Sequence, residues 1–243
     1  TSNSGQNEKS VLDRIVPGYY HRLNANGDVE RSTCCDNTAT ENSMMAKLML
    51  DSTAVWARHY KIDSFRFDLM GHQPRAAMLR LQERVNRETG RHINLIGEGW
   101  NFGEVANGNR FVQASQLSLN GSGIGTFSDR ARDAIRGGSA GDSGEALVKN
   151  QGFINGLGYD QNEANSSVNA RAELLKASDM VKVGLAGSLR SFQMQGMDGN
   201  TKRLEQFQYG DQAAGYVNQP SEVVNLITTT TKPCSISMLT SCR

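Results

Sequence analysis

Apolar positions recur along this chain at two periods. From Glu41 to Tyr60 they keep helical spacing, with Met45, Leu48, Met49, Val55 and Trp56 on one side, so an amphipathic helix is predicted there. The same spacing makes Met44, Met45 and Met49 expected core residues. Lys61 to Asp68 (KIDSFRFD) is short, with Ile62, Phe65 and Phe67 as its apolar content, and reads as a strand. Gly71 and Pro74 break the pattern. Ala76 to Thr89 predicts a second helix that buries Met78, Leu81 and Val85, and Gly90 ends it as a C-cap glycine. Arg91 to Glu98 (RHINLIGE) predicts another strand, carrying Ile93, Leu95 and Ile96.

Helix, strand, helix and strand in this order are close to a βαβ unit, which points to an α/β fold with a parallel sheet and helices outside it. Beyond Trp100 the chain is richer in Gly, Asn and Ser. Short helices are predicted at Asp129–Arg136 and Ser167–Val181, with a loop at Gly137, Gly138, Gly141 and Gly144 between them.

Two predicted strand ends finish on a carboxylate, Arg66-Phe67-Asp68 and Gly97-Glu98-Gly99-Trp100. Alternation puts Arg66 and Asp68 on one face and Phe65 and Phe67 on the other. Neighbouring parallel strands lie about 5 Å apart, so their ends can set two carboxyls beside one bond. Glycoside hydrolysis needs that pair, one group to attack or stabilise an oxocarbenium-like centre and one to protonate the leaving oxygen. Arg66 beside Asp68 favours the charged form that a nucleophile needs. The glycines and Trp100 around Glu98 suggest an apolar setting that suits a general acid, and Trp100 offers a face for a sugar ring. On spacing alone the commoner outcome is blander: an ordinary Arg66–Asp68 ion pair, with Glu98 a loop carboxylate.

Composition narrows the field. The chain has 243 residues, 37% of them hydrophobic and 21% charged, which suits a globular protein. A net charge of +1 gives no basic excess for nucleic acid. No apolar run is long enough for a transmembrane helix. The polar start, TSNSGQNEKS, shows no signal peptide. Cys34 and Cys35 are adjacent, and Cys234 and Cys242 lie near the end, so neither pair has the C-x-x-C spacing of a zinc or redox site. An adjacent pair forms a disulfide or stands as two buried thiols, and spacing decides neither.

Longer strings are more specific. DSFRFDLMGH (Asp63 to His72) resembles the second signature region of the α-amylase superfamily in its pullulanase and limit-dextrinase branch, and GEGWNFGEVA (Gly97 to Ala106) resembles the third. SGQNEKSVLDRIVPGYYHR (Ser4 to Arg22), STCCDNTATE (Ser32 to Glu41) and GIGTFSDRARDAIRGG (Gly123 to Gly138) are similar to the same branch. The FDLMGH and GEGWNFGEV strings argue against an isoamylase or an α-1,4-specific amylase. The resemblance implies a (β/α)8 barrel that cleaves α-1,6-glucosidic links in pullulan, amylopectin and branched dextrins, with retention of configuration. It implies Asp68 as nucleophile, Glu98 as general acid/base and Arg66 as the residue orienting Asp68. Trp100 and Leu69 would line glucose subsites, bordered by the Cys34-Cys35 loop, with His72 and Asp129 as further candidates. His72 has a purely structural alternative. No organic cofactor is implied; some members bind calcium, but no acidic cluster here specifies a site. Bacterial relatives are often exported, so an extracellular or cell-surface location is the expectation.

The chain departs from the family pattern in two places. The first signature, with its Asp and His, is not found in a chain that opens at TSNSGQNEKS. The fourth, whose His-Asp pair supplies the third catalytic carboxylate, should follow Glu222 to Asn225 (EVVN), yet the chain reads LITTTTKPCSISMLTSCR. Codons chosen for Thr228 to Arg243, read from the last base of the Thr228 codon, translate to HDNQTLFDINAYKLP, which resembles the missing region. We therefore expect an internal fragment: residues 1–225 as part of a catalytic barrel, supplying its middle strands without closing it, and 226–243 as a frameshifted tail. The expected fragment is poorly folded and essentially inactive. Its alternatives are a non-catalytic α-glucan-binding remnant and a truncated gene product without function. The nucleotide sequence around codons 215–243 decides the tail: it should encode the His-Asp string one frame away, and a gene without that string overturns the frameshift.

Overall fold

The structure is a computed structural model and describes residues 8–33, 35–165 and 168–226. The chain divides into two units, Thr1–Thr126 and Phe127–Arg243. Of the expected tail, 226–243, all but Leu226 lies outside the described residues, as does Cys34.

In the first unit a one-turn helix α1 (Leu12–Ile15) precedes the long helix α2 (Ser43–His59). Then come β1 (Ser64–Phe67), α3 (Arg75–Thr89), β2 (Asn94–Gly97), the short α4 (Gln116–Leu119) and β3 (Gly125–Ser128), of which Gly125 and Thr126 belong to this unit. β1 and β2 pair in parallel from Ser64↔Asn94 to Phe67↔Gly97, and β2 pairs in parallel with β3 through Gly97↔Thr126. This is the α/β arrangement that the alternating pattern predicts. β3 was not anticipated, because GTFS is short and has one large apolar residue.

Helix α3 shows how local chemistry fixes its ends. Pro74, with its φ already set, sits at the N-cap. At the other end Gly90 adopts φ +65°, a left-handed conformation that glycine takes without a Cβ penalty, and its N–H donates to the Asn86 carbonyl. The Asn86 side chain in turn accepts the Ile93 N–H at 2.8 Å, which leads the chain into β2.

The core joins Met78, Leu81 and Val85 of α3 to Ile93 and Leu95, with Met70, Leu119 and Ile124 closing around them and Phe65 and Phe67 packed against it. Each fully buried side chain of this size contributes about 1.5–3 kcal/mol. Helix α2 packs on α3 through a different face from the one predicted. Its buried residues are Ala46, Thr53, Ala54 and Ala57, whereas Leu48, Val55 and Trp56 are exposed. Met44 is also exposed, and Met45 and Met49 are only half-buried. The small residues win the interface because they let the two helix backbones approach closely.

The second unit contains α5 (Arg130–Arg136), α6 (Glu145–Lys149) and α7 (Ala170–Leu185). α5 and α7 match the two predicted helices, although Ser167, where the second was expected to start, is outside the described residues. They pack together at Gly184, where an added Cβ would lie 2.3 Å from that of Ala131. Two antiparallel hairpins follow, β4 (Gln193–Gln195) with β5 (Thr201–Arg203), and β6 (Gln208–Tyr209) with β7 (Gln212–Ala213), and then the short strand β8 (Val223–Asn225). Arg130 is buried with its guanidinium 4.7 and 4.6 Å from the rings of Tyr209 and Tyr216. Among the described residues no helix is long and apolar enough to cross a membrane.

Two substitutions separate the observed core from the predicted one. Leu81→Ala should cost about 2–5 kcal/mol in urea unfolding. Met44→Ala should stay within about 0.5 kcal/mol, as a surface change does.

Candidate active site

The parallel register sets the site. Phe67 stands opposite Gly97, so the next residues, Asp68 and Glu98, leave the ends of β1 and β2 at the same level. Arg66, one side-chain alternation back from Asp68, reaches both carboxylates. Its Nη1 lies 2.5 Å from Asp68 Oδ1 and its Nη2 donates to Glu98 Oε1 at 3.1 Å. Asp68 is open to solvent, its side chain 57% exposed, while that of Glu98 is 12% exposed.

Glu98 is held at three points. Its Oε2 accepts the Leu69 N–H at 2.8 Å, and its carbonyl accepts the Gly71 N–H, also at 2.8 Å. Its own N–H donates to the Phe67 carbonyl at 3.2 Å. Leu69 can aim its N–H this way because it adopts φ +49°, a left-handed conformation that costs a non-glycine residue of order 1 kcal/mol or more. The apolar setting expected for Glu98 is not what holds its carboxylate: a guanidinium and a backbone amide do.

The turns after the two strands are in contact. A Cβ on Gly71 would lie 2.2 Å from the Trp100 carbonyl oxygen, so no side chain fits between them. The buried Gln113 amide bridges the same gap, donating from Nε2 to the Trp100 carbonyl at 2.9 Å and to the Gly71 carbonyl at 3.3 Å. Trp100 and Leu69 are half-buried. His72 is buried at 3% exposure, its ring 4.5 Å from that of Phe102 and its Nε2 3.4 Å from Thr33 Oγ1. It lies beneath the surface rather than facing solvent. Cys35 is disulfide-bonded and half-buried. Asp129 belongs to the second unit and pairs there with Arg130 at 2.5 Å.

Sequence reasoning missed a buried charge cluster. Arg22, 1% exposed, binds Glu41 through two nitrogens at 2.8 Å each and Glu104 Oε1 at 2.6 Å. Its Nη2 also donates to the carbonyls of His72 at 2.8 Å and Thr38 at 3.3 Å. Glu104 accepts further bonds from Ser32 Oγ at 2.5 Å and from Asn37 Nδ2 at 3.1 and 3.2 Å. Burial works to raise the Glu104 carboxyl, but the Arg22 and Ser32 hydrogen bonds and the Arg22 charge outweigh it and hold the pKa to about 2. Burial lowers His72 from the usual histidine value, with Glu104 pulling it up and Arg22 pulling it down. The available signal was a glutamate inside the GEGWNFGEVA string and an arginine closing the Ser4 to Arg22 string. Neither has periodicity or spacing to mark it. Among the described residues no group of His, Cys, Asp and Glu offers a ligand set for a metal.

No family model matches the chain. Individual proteins do. A pullulanase of Klebsiella aerogenes is 46% identical over 93% of this chain and 20% of its own length. The chloroplastic pullulanase 1 of Arabidopsis thaliana is 41% identical over 92% of this chain and 24% of its own. The crystal structure of the maltotriose complex of PulA from Klebsiella pneumoniae superposes with a TM-score of 0.84 at 45% identity, covering 93% of this chain and 24% of that one. The chain thus spans about a fifth to a quarter of the length of these relatives. Identity of this degree along almost all of its residues, on a shared backbone path, makes the chain a homologue of one segment of these pullulanases.

Proposed function

We propose that this chain carries the nucleophile and the acid/base of a debranching glycosidase that cleaves α-1,6-glucosidic linkages with retention of configuration. The observation that carries the reading is the single Arg66 guanidinium between the Asp68 and Glu98 carboxylates. Two carboxyl groups that share one guanidinium flank one small space, as a two-carboxylate mechanism needs, and the retaining outcome is what the resemblance to the pullulanase branch implies.

In the first step an oxygen of Asp68 attacks the anomeric carbon, and Glu98 gives its proton to the departing glycosidic oxygen. A glycosyl ester on Asp68 and a free chain end result. In the second step Glu98 takes a proton from water, the water oxygen attacks the anomeric carbon, and the Asp68 carboxylate is released. The exposure of Asp68 suits the attacking group. Glu98 accepts one hydrogen bond at each oxygen in the resting arrangement, which leaves a lone pair on each for the proton it passes to the substrate oxygen. Arg66 returns to Asp68 each time the ester is cleaved and neutralises the charge that reappears there. Trp100 and Leu69 would line the adjoining sugar subsites beside the Cys34-Cys35 loop, with His72 and Asp129 as further family candidates. The strands would belong to a (β/α)8 barrel. The substrate would be a branched α-glucan, a reading supported by the relative crystallised with maltotriose.

A 5-fluoro-α-maltosyl fluoride probe tests the assignment, because fluoride leaves with little help from an acid and the fluorinated ester hydrolyses slowly. Intact-mass and peptide mass spectrometry should find the sugar on Asp68, with labelling kept in Glu98→Gln and lost in Asp68→Asn. A label on another residue sinks the assignment. Turnover of pullulan by the 243-residue chain should fall orders of magnitude short of a complete active site, since no His-Asp string follows Glu222–Asn225, where the resemblance puts the third carboxylate that stabilises transition-state charge. Release of reducing ends above background would overturn that expectation.

A further inference from the structure

We infer that Arg22 is a positioning residue: acting through Glu104 and the His72 carbonyl, it fixes the turn after β1 against the turn after β2, and so sets the separation of Asp68 and Glu98. The inference rests on the reading of those two carboxylates as the reacting groups, but its geometry does not.

The contacts of Arg22 divide between the two turns. The His72 carbonyl belongs to the turn that leaves β1 through Asp68, and the Glu104 carboxylate to the turn that leaves β2 through Glu98. Glu41, just ahead of α2, grips the guanidinium from a third direction, and the Phe111 ring lies 5.2 Å from it. Nε, Nη1 and Nη2 are all engaged in a fixed plane, so the spacing of the acceptors is set by the fork itself. The space around the fork is filled. At Gly103, φ +71°, an added Cβ would lie 2.6 Å from Ser32 Oγ and 2.7 Å from His72 Cε1, so the loop before α2 and both turns abut at one point.

His72 provides a reporter within the cluster. Its Nδ1 is buried without a hydrogen-bond partner among the described residues and lies 3.7 Å from Glu104 Oε2. The charged groups facing it are Glu104 from the turn after β2 and Arg22 from the segment before α2, and Ser32 and Thr33 of the neighbouring loop are neutral. Arg22 draws Glu104 toward itself. Without Arg22 the carboxylate keeps the neutral donors Ser32 and Asn37 but loses its charged partner, and the imidazole is the neighbouring group that can take up a balancing proton. Removing one member of a buried charged set leaves the others uncompensated, which drives such a rearrangement.

The junction has its own reporters in the amides of Leu69 and Gly71, which bind the Glu98 carboxylate and carbonyl. The experiment is solution NMR on the 243-residue chain, following the His72 ring against pH and hydrogen exchange at Leu69, Gly71 and the core residue Leu81. In Arg22→Met the His72 midpoint should rise by about one pH unit or more, and exchange at Leu69 and Gly71 should quicken at least about tenfold while Leu81 is unchanged. Arg22→Lys keeps the charge without the fork, so His72 should stay low while the two turn amides still exchange faster. Glu104→Gln, which removes the facing charge, should lower the His72 midpoint. It should also abolish the stability that the Glu104 carboxylate contributes above about pH 4.5 and loses as pH falls through about 2.

A purely structural arginine would instead speed exchange at Leu81 along with the turns, and that result overturns the inference. If Arg22→Met does not fold, Glu104→Gln decides: unchanged exchange at Gly71 rejects the positioning role. Absence of label on Asp68 would reject the hydrolase reading without altering any of these shifts.

Discussion

The pairing of β1 with β2 is the constraint on which the site depends. A parallel register with Phe67 opposite Gly97 puts the following residue of each strand at one height above the sheet. A slip of one residue would send Asp68 or Glu98 to the opposite face. Register is in turn fixed from below, where Phe65 and Phe67 pack on a core built by α3 and β2. The geometry of two polar groups is therefore set by where apolar side chains are buried.

Two arginines act at different depths. Arg66, with its side chain 35% exposed, joins the two carboxylates at a place open to solvent. Arg22 is sealed, and its acceptors are two carboxylates and two carbonyls from separate segments. A buried ion cluster adds little net stability after its desolvation cost, but its directional bonds define one arrangement of the chain. Glu104 shows the balance, since burial alone would raise it and its partners hold it down to about 2.

The parts legible in the sequence are those governed by periodicity and chain-terminating chemistry. α3 follows its pattern from Arg75 to the left-handed Gly90, and Met78, Leu81 and Val85 are buried as their spacing requires. The placement of Arg66, Asp68 and Glu98 at two neighbouring strand ends also follows from alternation and from βαβ order. The face of α2 was misread because packing there is decided by small residues, Ala46, Ala54 and Ala57, which a hydrophobic count underweights. The setting of Glu98 was misread because the partner that fills it is a backbone amide, made available by a left-handed Leu69 that no residue preference signals. The Arg22 cluster joins segments far apart in the chain, and such pairings leave no local trace.

The misread face of α2 also governs how the molecule behaves in bulk solution. Met44, Leu48, Val55 and Trp56 form an oily ridge, each between 42% and 49% exposed, and β1 ends the order of its sheet. A net charge of +1 gives copies of the chain almost no mutual repulsion near neutral pH. Greasy surface and weak colloidal repulsion together favour clumping, so concentrated stocks should keep best in buffers that give every copy a substantial charge of one sign.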